Sequence, residues 1–251
     1  MKNLLVVHKD NIIFGISKFW FIFEKNRMKR EVKLTADGSK TLFINDLNEG
    51  YHSHHGALQE ARHVFIKNGL DRVNDLEINI LELGFGTGLN ALVSMEKIRA
   101  SNDIKKINYF TLEKYPVSLE EVKELSFHNL FNLPNIDVIN TTLHECEWEQ
   151  PCEILPNFNI TKINTDFYEL KNIELPKIDL VYFDCFGARV QPDLWELPLM
   201  EMVAEKMKVG GLLTTYSSKG SFQRVLKSLN FKVEKLEGPK GKREMINAWK
   251  M

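Results

Sequence analysis

The stretch of sequence that decides the fold is Leu81-Glu82-Leu83-Gly84-Phe85-Gly86-Thr87-Gly88-Leu89-Asn90. An apolar strand predicted over Ile78–Leu83 leads into it, and a helix predicted over Leu89–Ile98 leaves it. Glycine at alternate positions lets the backbone turn tightly and lets a ligand approach where a Cβ atom would block it. A buried strand, a glycine-rich turn and a helix in this order are typical of a nucleotide-binding unit.

The spacing of the glycines indicates which ligand the loop takes. A dinucleotide-binding loop reads GxGxxG and places a pyrophosphate on the helix N-terminus, but Leu89 stands where its last glycine belongs. The order Glu82, Gly84, Gly86, Gly88 instead resembles motif I of class I methyltransferases, whose ligand carries no phosphate. The residues predicted to bind S-adenosylmethionine here are Glu82, Gly84, Phe85, Gly86, Thr87, Gly88 and Asn90.

Beyond this loop, strands alternate with helices, which indicates a mostly parallel sheet. The further predicted strands are Ile107–Leu112, Ile136–Ile139, Ile178–Phe183, Leu212–Tyr216, and a terminal antiparallel hairpin of Phe231–Leu236 and Met245–Trp249. Three further helices are predicted: one that begins at Pro116, one over Trp195–Met207 and one over Phe222–Leu229. The segment Leu143–Asn159 fits neither the helix period nor the strand period and is predicted to be an irregular insertion. The sequence therefore predicts an α/β fold, a Rossmann-like domain with a seven-stranded sheet.

A small N-terminal piece precedes this domain. Val32–Leu34 and Thr41–Ile44 flank a polar turn and predict a hairpin, and a helix is predicted from Ser53 to Lys67, with Gly69 in the position after its end. The predicted divisions are an extension over residues 1–27, the hairpin and helix over 28–75, and the methyltransferase domain over 76–251. We interpret the extension as a translation start placed too early, so that a chain beginning at Met28 should keep its activity; a weak interfacial helix is the alternative.

Composition and charge limit the class of protein. Of the 251 residues, 43% are hydrophobic and 27% charged, as in ordinary soluble globular proteins. The three cysteines form no CxxC pair, which argues against a disulfide framework or a zinc site and predicts a cytoplasmic protein. Between Asp71 and Asp184 there are 20 acidic and 10 basic residues, against 3 and 9 between Lys219 and Met251. This asymmetry favours a polyanion-binding edge, although a solvated lysine-rich surface is the alternative.

Two further positions at predicted strand ends could hold an adenosine cofactor. Glu113 ends the second strand, where a carboxylate can accept hydrogen bonds from two ribose hydroxyls, and Lys114 follows it. Asp166 follows the short apolar run Phe158–Ile163 and could accept the adenine amino hydrogens, with Phe167 near the ring. A surface glutamate is the alternative for Glu113.

Eight blocks of sequence, in a fixed order, resemble a known family. They are Asp37–Leu42, Tyr51–Ala57, Glu60–Phe65, Leu83–Asn90, Glu113–Pro116, Phe183–Phe186, Gln191–Trp195 and Gly241–Met245. The chain from about Met28 to its end resembles the methyltransferase component of MnmC and its free-standing homologues, called MnmD. The resemblance departs at one loop: the family has D-G-F-A-P, and this chain has Asp184-Cys185-Phe186-Gly187-Ala188.

The resemblance implies an activity, a cofactor and partners. The reaction would be methyl transfer from S-adenosylmethionine to the amine of 5-aminomethyl-(2-thio)uridine at the tRNA wobble position, giving 5-methylaminomethyl-(2-thio)uridine. The expected partner is tRNA, with a functional link to the enzyme that makes the aminomethyl precursor. No membrane partner is expected, and no bound flavin, because no sequence remains to encode the oxidase domain of the bifunctional family members.

The resemblance and the strand pattern together select the substrate residues. Asp184, at the end of a strongly apolar strand, is predicted to be the catalytic residue; it could accept a proton from the amine or only orient it. Phe186 is predicted to stack on the uracil. The basic residues predicted to contact tRNA phosphates are Lys240, Lys242 and Arg243.

Alternatives remain for the histidine-rich block and for the function. Tyr51 and His55 are predicted to contact the cofactor or substrate, although His52, His54 and His55 could instead contribute to a zinc site; we predict no metal. An aminopropyltransferase is disfavoured because Phe85 and Thr87 replace its glycine-richer loop, and a nicotinamide dehydrogenase because of Leu89. A methyltransferase for another amine and a non-catalytic RNA-binding protein of the same fold are the remaining alternatives.

Overall fold

Two β-sheets organise the chain in the computed structural model, which describes residues 29–100, 106–127 and 129–251. The predicted extension over residues 1–27 lies outside the described residues. The smaller sheet is antiparallel and contains β1 (Arg30–Leu34), β2 (Lys40–Ile44) and β3 (Glu49–Gly50). Its first two strands form the predicted hairpin. The turn between them is held by the Asp37 carboxylate, which accepts hydrogen bonds from the hydroxyls of Thr35 at 2.7 Å and Ser39 at 2.5 Å.

The larger sheet has eight strands among the described residues, in the order β10-β11-β9-β8-β4-β5-β7-β6. Neighbouring strands from β9 through β7 pair in parallel, whereas β6, β10 and β11 pair antiparallel. The strands are β4 (Glu77–Leu83), β5 (Lys106–Leu112), β6 (Pro151–Leu155), β7 (Phe158–Ile163), β8 (Ile178–Phe183), β9 (Met207–Thr215), β10 (Phe231–Glu237) and β11 (Glu244–Lys250). The predicted Rossmann-like class, with its terminal antiparallel hairpin, is confirmed. The predicted number of seven strands is wrong, because the sheet has eight strands among the described residues, with β6 at one edge.

Helices cover both faces of this sheet. They are α1 (Ala57–Ala61, continued by a π-helical turn over Arg62–Lys67), α2 (Leu89–Ala100), α3 (Leu119–Leu125), α4 (Ile136–Glu145), α5 (Leu197–Lys206) and α6 (Gly220–Ser228). Successive strand residues enter different apolar clusters: Leu180 and Tyr182 pack with α1, α2 and α4, whereas Val181 and Phe183 pack with α5 and α6. This alternation places one core on each face of the sheet.

The sequence prediction is wrong between residues 136 and 163. Ile136–Ile139 is the first turn of α4 and not a strand, because the buried positions Ile136, Ile139, Asn140 and Leu143 recur at helical spacing. The supposed irregular insertion over Leu143–Asn159 contains β6 and the first two residues of β7, which is the third parallel strand along the chain. A segment of four residues is too short to separate the period of a helix from that of a strand, and the polar edge strand β6 carries little apolar signal.

Two helix ends also differ from the prediction. Pro116 is not helical, since α3 begins after Ser118, whose side chain forms a capping box with Glu121. Gly69 does not take the left-handed conformation, because its φ is −114°. A Cβ atom on Gly69 would instead lie 2.4 Å from the carbonyl oxygen of Phe65. Gly69 is therefore required because its backbone lies close to the Phe65 carbonyl group, and not because the helix ends in a left-handed residue.

Candidate cofactor and substrate site

A cavity of about 810 Å³ opens at the carboxyl ends of β4, β5 and β8, where open α/β sheets bind their ligands. The predicted site residues that line it are Tyr51, His55, Gly84, Phe85, Gly86, Asn90, Glu113, Lys114, Asp166, Phe167, Asp184, Phe186 and Lys242. Five predicted site residues lie outside its lining: Glu82, Thr87, Gly88, Lys240 and Arg243. Residues separated by up to two hundred positions thus meet in one cavity.

The glycine loop between β4 and α2 has the backbone that its sequence requires. Gly84, Gly86 and Gly88 have φ values of 99°, 49° and 73°, which favour glycine. A Cβ atom on Gly84 would lie 3.0 Å from the carbonyl oxygen of Asp184, and one on Gly86 would lie 3.1 Å from the Tyr51 ring. At Gly84 the loop therefore approaches the end of β8, and at Gly86 it approaches the Tyr51 ring, more closely than a residue with a side chain would allow.

A chain of hydrogen bonds joins the glycine loop to the predicted catalytic carboxylate. The Asn90 amide donates to Glu82 Oε1 at 3.0 Å and to Asp184 Oδ2 at 2.8 Å. The Thr111 hydroxyl donates to the other Glu82 oxygen at 2.7 Å. Glu82 is fully buried, and burial raises its pKa to about 8. Glu82 therefore holds Asn90 from beneath the cavity and does not itself line it.

The environment of Asp184 suits proton exchange near neutral pH. Burial is the largest influence on its carboxyl group and raises its pKa to about 7, while the hydrogen bond from Asn90 acts in the opposite direction. The carboxyl group is therefore protonated in part of the molecules near pH 7 and ionised in the others. A general acid or base works best when its pKa lies close to the working pH.

The two carboxylates predicted to hold adenosine are fixed by backbone groups. Glu113 accepts hydrogen bonds from the amides of Gly86 at 3.0 Å and Tyr115 at 2.8 Å. Asp166 accepts from the Tyr168 amide at 3.0 Å and from Lys114 at 2.8 Å. A carboxylate offers about four acceptor positions, so each retains lone pairs for a hydroxyl or an amino group of a ligand.

Two histidines contact Thr87, a residue of the glycine loop that does not line the cavity. His52 Nδ1 lies 3.0 Å from the Thr41 hydroxyl, and its Nε2 lies 3.4 Å from the Thr87 hydroxyl. His144, on α4, places Nε2 3.1 Å from the Thr87 carbonyl oxygen. Burial lowers the pKa of both imidazoles to about 4, so they stay neutral at physiological pH. His144 was not predicted as a site residue.

The histidines considered above as zinc ligands, His52, His54 and His55, contact other side chains in the structure. Both ring nitrogens of His52 lie near hydroxyl groups, and the rings of His54 and His55 contact each other at an angle of 40°, with their centroids 3.9 Å apart. Over residues 29–100, 106–127 and 129–251 no group of three His, Cys, Asp or Glu side chains could hold a metal ion. His55 instead packs against Gly241, where a Cβ atom would lie 2.1 Å from its ring.

Aromatic residues form the wall beside Asp184. The Tyr51 and Phe186 rings meet edge to face with centroids 5.3 Å apart. The Trp195 indole donates to the Phe186 carbonyl at 2.8 Å, and the Tyr216 hydroxyl donates to the Cys185 carbonyl at 2.9 Å. The loop that departs from the family sequence is thus held by two aromatic side chains through its backbone.

The three predicted phosphate contacts lie in two different surroundings. Lys242 Nζ forms a salt bridge with Glu60 at 2.7 Å and lines the cavity. Lys240 and Arg243 line a neighbouring depression together with His63, and Lys242 lines that depression as well. A phosphate contact therefore remains a prediction for Lys240 and Arg243, whereas the ammonium of Lys242 already has a partner inside the site. The sequence analysis missed Glu60 and Tyr216.

Comparison with known proteins agrees with this geometry. Residues 153–251 match a family described as S-adenosyl-L-methionine-dependent methyltransferase. The bifunctional protein MnmC of tRNA 5-methylaminomethyl-2-thiouridine biosynthesis from Burkholderia multivorans is 28% identical over 210 residues, covering 78% of this chain and 31% of that protein. The same-named protein from Paracidovorax citrulli is 28% identical over 236 residues, covering 88% and 35%. The chain thus spans about a third of the length of these relatives.

A solved structure has the same fold. The crystal structure of MNMC2 from Aquifex aeolicus matches with a TM-score of 0.74 and 24% sequence identity, covering 97% of this chain and 78% of that one. The fold is therefore that of class I S-adenosylmethionine-dependent methyltransferases, and residues 153–251 match such a family. The resemblance to the methyltransferase part of MnmC is confirmed. Within the described residues, no helix combines the length and apolarity needed to cross a membrane.

Proposed function

We propose that this chain methylates the amine of 5-aminomethyl-(2-thio)uridine at the tRNA wobble position. The observation that carries the proposal is the position of Asp184, enclosed at the end of β8 and joined through Asn90 to the glycine loop, with Phe186 two residues beyond. A carboxyl group and an aromatic ring therefore lie beside the glycine loop, which supports the proposal. The names of the MnmC relatives supply the nucleoside and the tRNA, and the basic segment after residue 219 agrees with a polyanionic substrate.

The residues present fit S-adenosylmethionine. The cradle formed by Gly84 and Gly86 has no room for a Cβ atom, and Asn90 Oδ1 is buried without a hydrogen-bond partner, as an acceptor reserved for a ligand would be. Glu113 would take the ribose hydroxyls, and Asp166 the adenine amino group. When bound, the cofactor supplies an electrophilic methyl group, whose bond to sulfur breaks as the amine nitrogen forms its new bond to carbon.

Asp184 has two tasks in this scheme. Its carboxylate accepts a hydrogen bond from the substrate amine, which directs the nitrogen lone pair away from the carboxylate and towards the methyl group. After transfer, the nitrogen carries an extra proton, which Asp184 can receive because its pKa is about 7. Asn90 holds Asp184 Oδ2 at 2.8 Å and leaves the other carboxylate oxygen for the amine.

The aromatic wall would receive the base. A uracil lifted from the anticodon loop can stack on Phe186, whose own ring is supported edge-on by Tyr51. Lys240 and Arg243 lie outside the cavity, where they could contact phosphates and position the tRNA without reading its sequence.

The test uses the purified chain, S-adenosylmethionine and tRNA carrying 5-aminomethyl-(2-thio)uridine. Nucleoside mass spectrometry should find the 5-methylaminomethyl product, with one methyl group added for each S-adenosylhomocysteine released. The Asp184→Ala variant serves as the low-activity control. Methylation of other nucleosides with no change at the wobble position would overturn the substrate assignment and leave the methyltransferase class in place.

A further inference from the structure

A salt bridge inside the cavity was given no role in the methyl transfer proposed above. Glu60 comes from α1 and Lys242 from the loop before β11, and their charged atoms lie 2.7 Å apart. Glu60 is 9% exposed, and both residues line the same cavity as Asp184. The Glu60 side chain is 11% exposed and that of Lys242 is 33% exposed, so the carboxylate is nearly buried and depends on the ammonium as its partner.

A second contact fixes the direction of the Lys242 ammonium. Its Nζ lies 3.9 Å from the centre of the Tyr216 ring, within the range of a cation–π interaction. The Tyr216 hydroxyl in turn donates to the carbonyl of Cys185, the residue after Asp184. Tyr216 therefore contacts both the Lys242 ammonium, through its ring, and the backbone next to Asp184, through its hydroxyl group.

The charged and titratable groups around this ammonium come from four parts of the fold. They are Glu60 on α1, Asp184 after β8, Tyr216 after β9, and His52 and His55 before α1. Lys242 lowers the pKa of Asp184, whereas Glu60 raises it. Lys242 also adds to the burial that keeps His52 neutral. Its charge thus acts on the groups that face the substrate end of the cavity.

The proposed reaction needs such a charge. Only a neutral amine has the lone pair that attacks a methyl group, yet Asp184 by itself stabilises the protonated amine. A fixed cation nearby has the opposite effect and can lower the pKa of a neighbouring amine. We propose that Lys242 is a positioning residue. Its ammonium group lies between Glu60 and the Tyr216 ring and, by charge repulsion, disfavours the protonated form of the substrate amine. This inference rests on the proposed function.

The test is the pH dependence of kcat at saturating tRNA and S-adenosylmethionine, because that profile reports the groups in the bound complex. In Lys242→Met the rising limb should move to higher pH by about one unit, which is roughly a tenfold loss at pH 7 that disappears at alkaline pH. Lys242→Arg keeps the positive charge, so the rising part of its kcat profile should stay within a few tenths of a pH unit of the parent's. Glu60→Gln removes a negative charge and should move it to lower pH.

Two controls separate this role from others. Lys106→Met breaks a matched pair, with Glu77 at 2.7 Å, at the opposite end of β5 and should leave the profile in place. The salt dependence of tRNA binding distinguishes a phosphate contact, whose loss would lower the slope by about one, from the charge effect proposed here, which leaves the slope unchanged.

Three results would overturn the inference. They are an equal rate loss at every pH in Lys242→Met, a shift of the same sign in Glu60→Gln, and a lowered salt slope. If Lys242→Met does not fold, the opposite expectations for Lys242→Arg and Glu60→Gln still decide. Failure of the proposed function has another signature, since the parent chain would then leave the aminomethyl nucleoside unmethylated at every pH.

Discussion

Asp184 lies where the fold opposes the charge of its carboxylate, although the proposed reaction requires that charge. Its pKa rises from the ordinary value of 3.8 to about 7, mainly through burial. Between these two values the folded chain holds a proton that the unfolded chain releases. The stability associated with this proton is fully present below about pH 4 and is lost as the pH rises through 7. The ligand-free protein therefore gives up stability at Asp184 at the pH where it must work.

The first prediction concerns stability. Asp184→Asn removes the enclosed charge and keeps an oxygen that can accept the Asn90 hydrogen bond. At pH 8 the ligand-free variant should melt at a higher temperature than the parent, by roughly 2–4 °C for each kcal/mol relieved. Calorimetric melting at pH 8 and at pH 5 should show the gap closing at the lower pH. A gap that stays constant between the two would contradict the raised pKa.

The second prediction concerns turnover at the same residue. Asp184→Ala should lower kcat for the aminomethyl substrate by roughly a hundredfold or more, the scale of a lost acid–base or orienting group. Affinity for S-adenosylmethionine, measured by calorimetry, should stay near that of the parent. If orientation dominates, Asp184→Asn should retain more activity than Asp184→Ala, whereas equal losses would favour proton transfer. An Asp184→Ala variant with the parent's rate would remove Asp184 from the mechanism.

At the scale of elements, the glycine loop is held from outside by segments distant in sequence. Tyr51 packs on Gly86, His52 reaches Thr87 from the N-terminal sheet, and His144 reaches it from α4. A methyltransferase loop in an open sheet would rely on its own strand and helix. Here three further side chains restrict it, so ligand affinity should respond to changes outside the loop itself.

The third prediction tests the tightness of this packing. Gly86→Ala would place a Cβ atom 3.1 Å from the Tyr51 ring in a backbone with φ of 49°. We expect S-adenosylmethionine affinity to fall at least about tenfold, because the loop must shift to make room. Gly210→Ala is the matched control, since Gly210 has φ of 79° but no atom within 4 Å of its Cβ position. Calorimetric titration should separate the two variants; equal losses would mean that backbone strain alone is responsible.

Local patterns predicted the elements that are apolar and bounded by clear signals. Ile78–Leu83, the glycine loop and Ile178–Phe183 were predictable because buried parallel strands are near-continuous apolar runs. The region from 136 to 163 was not, because α4 was judged from its first four residues and β6 is a polar edge strand. A helix start was placed at Pro116 although the capping sequence Ser118 to Glu121 marked the true one.

The candidate site follows the same division. The strand-end residues Glu113, Asp166 and Asp184 could be predicted, since parallel strands end at one edge of the sheet. Glu60 and Tyr216 could not, because nothing in their local sequence distinguishes a cavity-facing residue from a core one. Their place depends on how α1 and the end of β9 pack. Lys242 was selected for its charge, but the sequence could not reveal that Glu60 is its partner.

At the scale of the whole molecule, charge is distributed unevenly around a nearly neutral chain. The formal net charge is −1, yet the segment from Lys219 to Met251 holds 9 basic and 3 acidic residues. Lys240 and Arg243 belong to this segment and border a depression beside the cavity. A positive region next to the substrate entrance would draw in a polyanion and leave the rest of the surface unattractive to it.

The fourth prediction tests this region. Replacing Lys240 and Arg243 together by glutamate should weaken tRNA binding and lower its salt slope by about two, one for each lost contact. S-adenosylmethionine affinity should not change, since neither residue lines the cavity. The control is the same charge change at Lys106 and Lys177, near the amino ends of β5 and β8. Filter binding over a range of salt concentrations distinguishes the pairs, and similar losses in both would indicate a general charge effect.

The position of β11 has a consequence for the synthesis of the protein. This strand lies between β10 and β9, and the loop before it supplies Gly241 and Lys242 to a cavity whose other wall comes from residues 33–55. A chain still growing on the ribosome folds from its N-terminus and would carry the glycine loop long before β11 exists. During that interval the cavity lacks a wall, and the site for the cofactor is incomplete. The nascent chain should therefore be unable to methylate RNA near the ribosome until the last strand has been made and inserted.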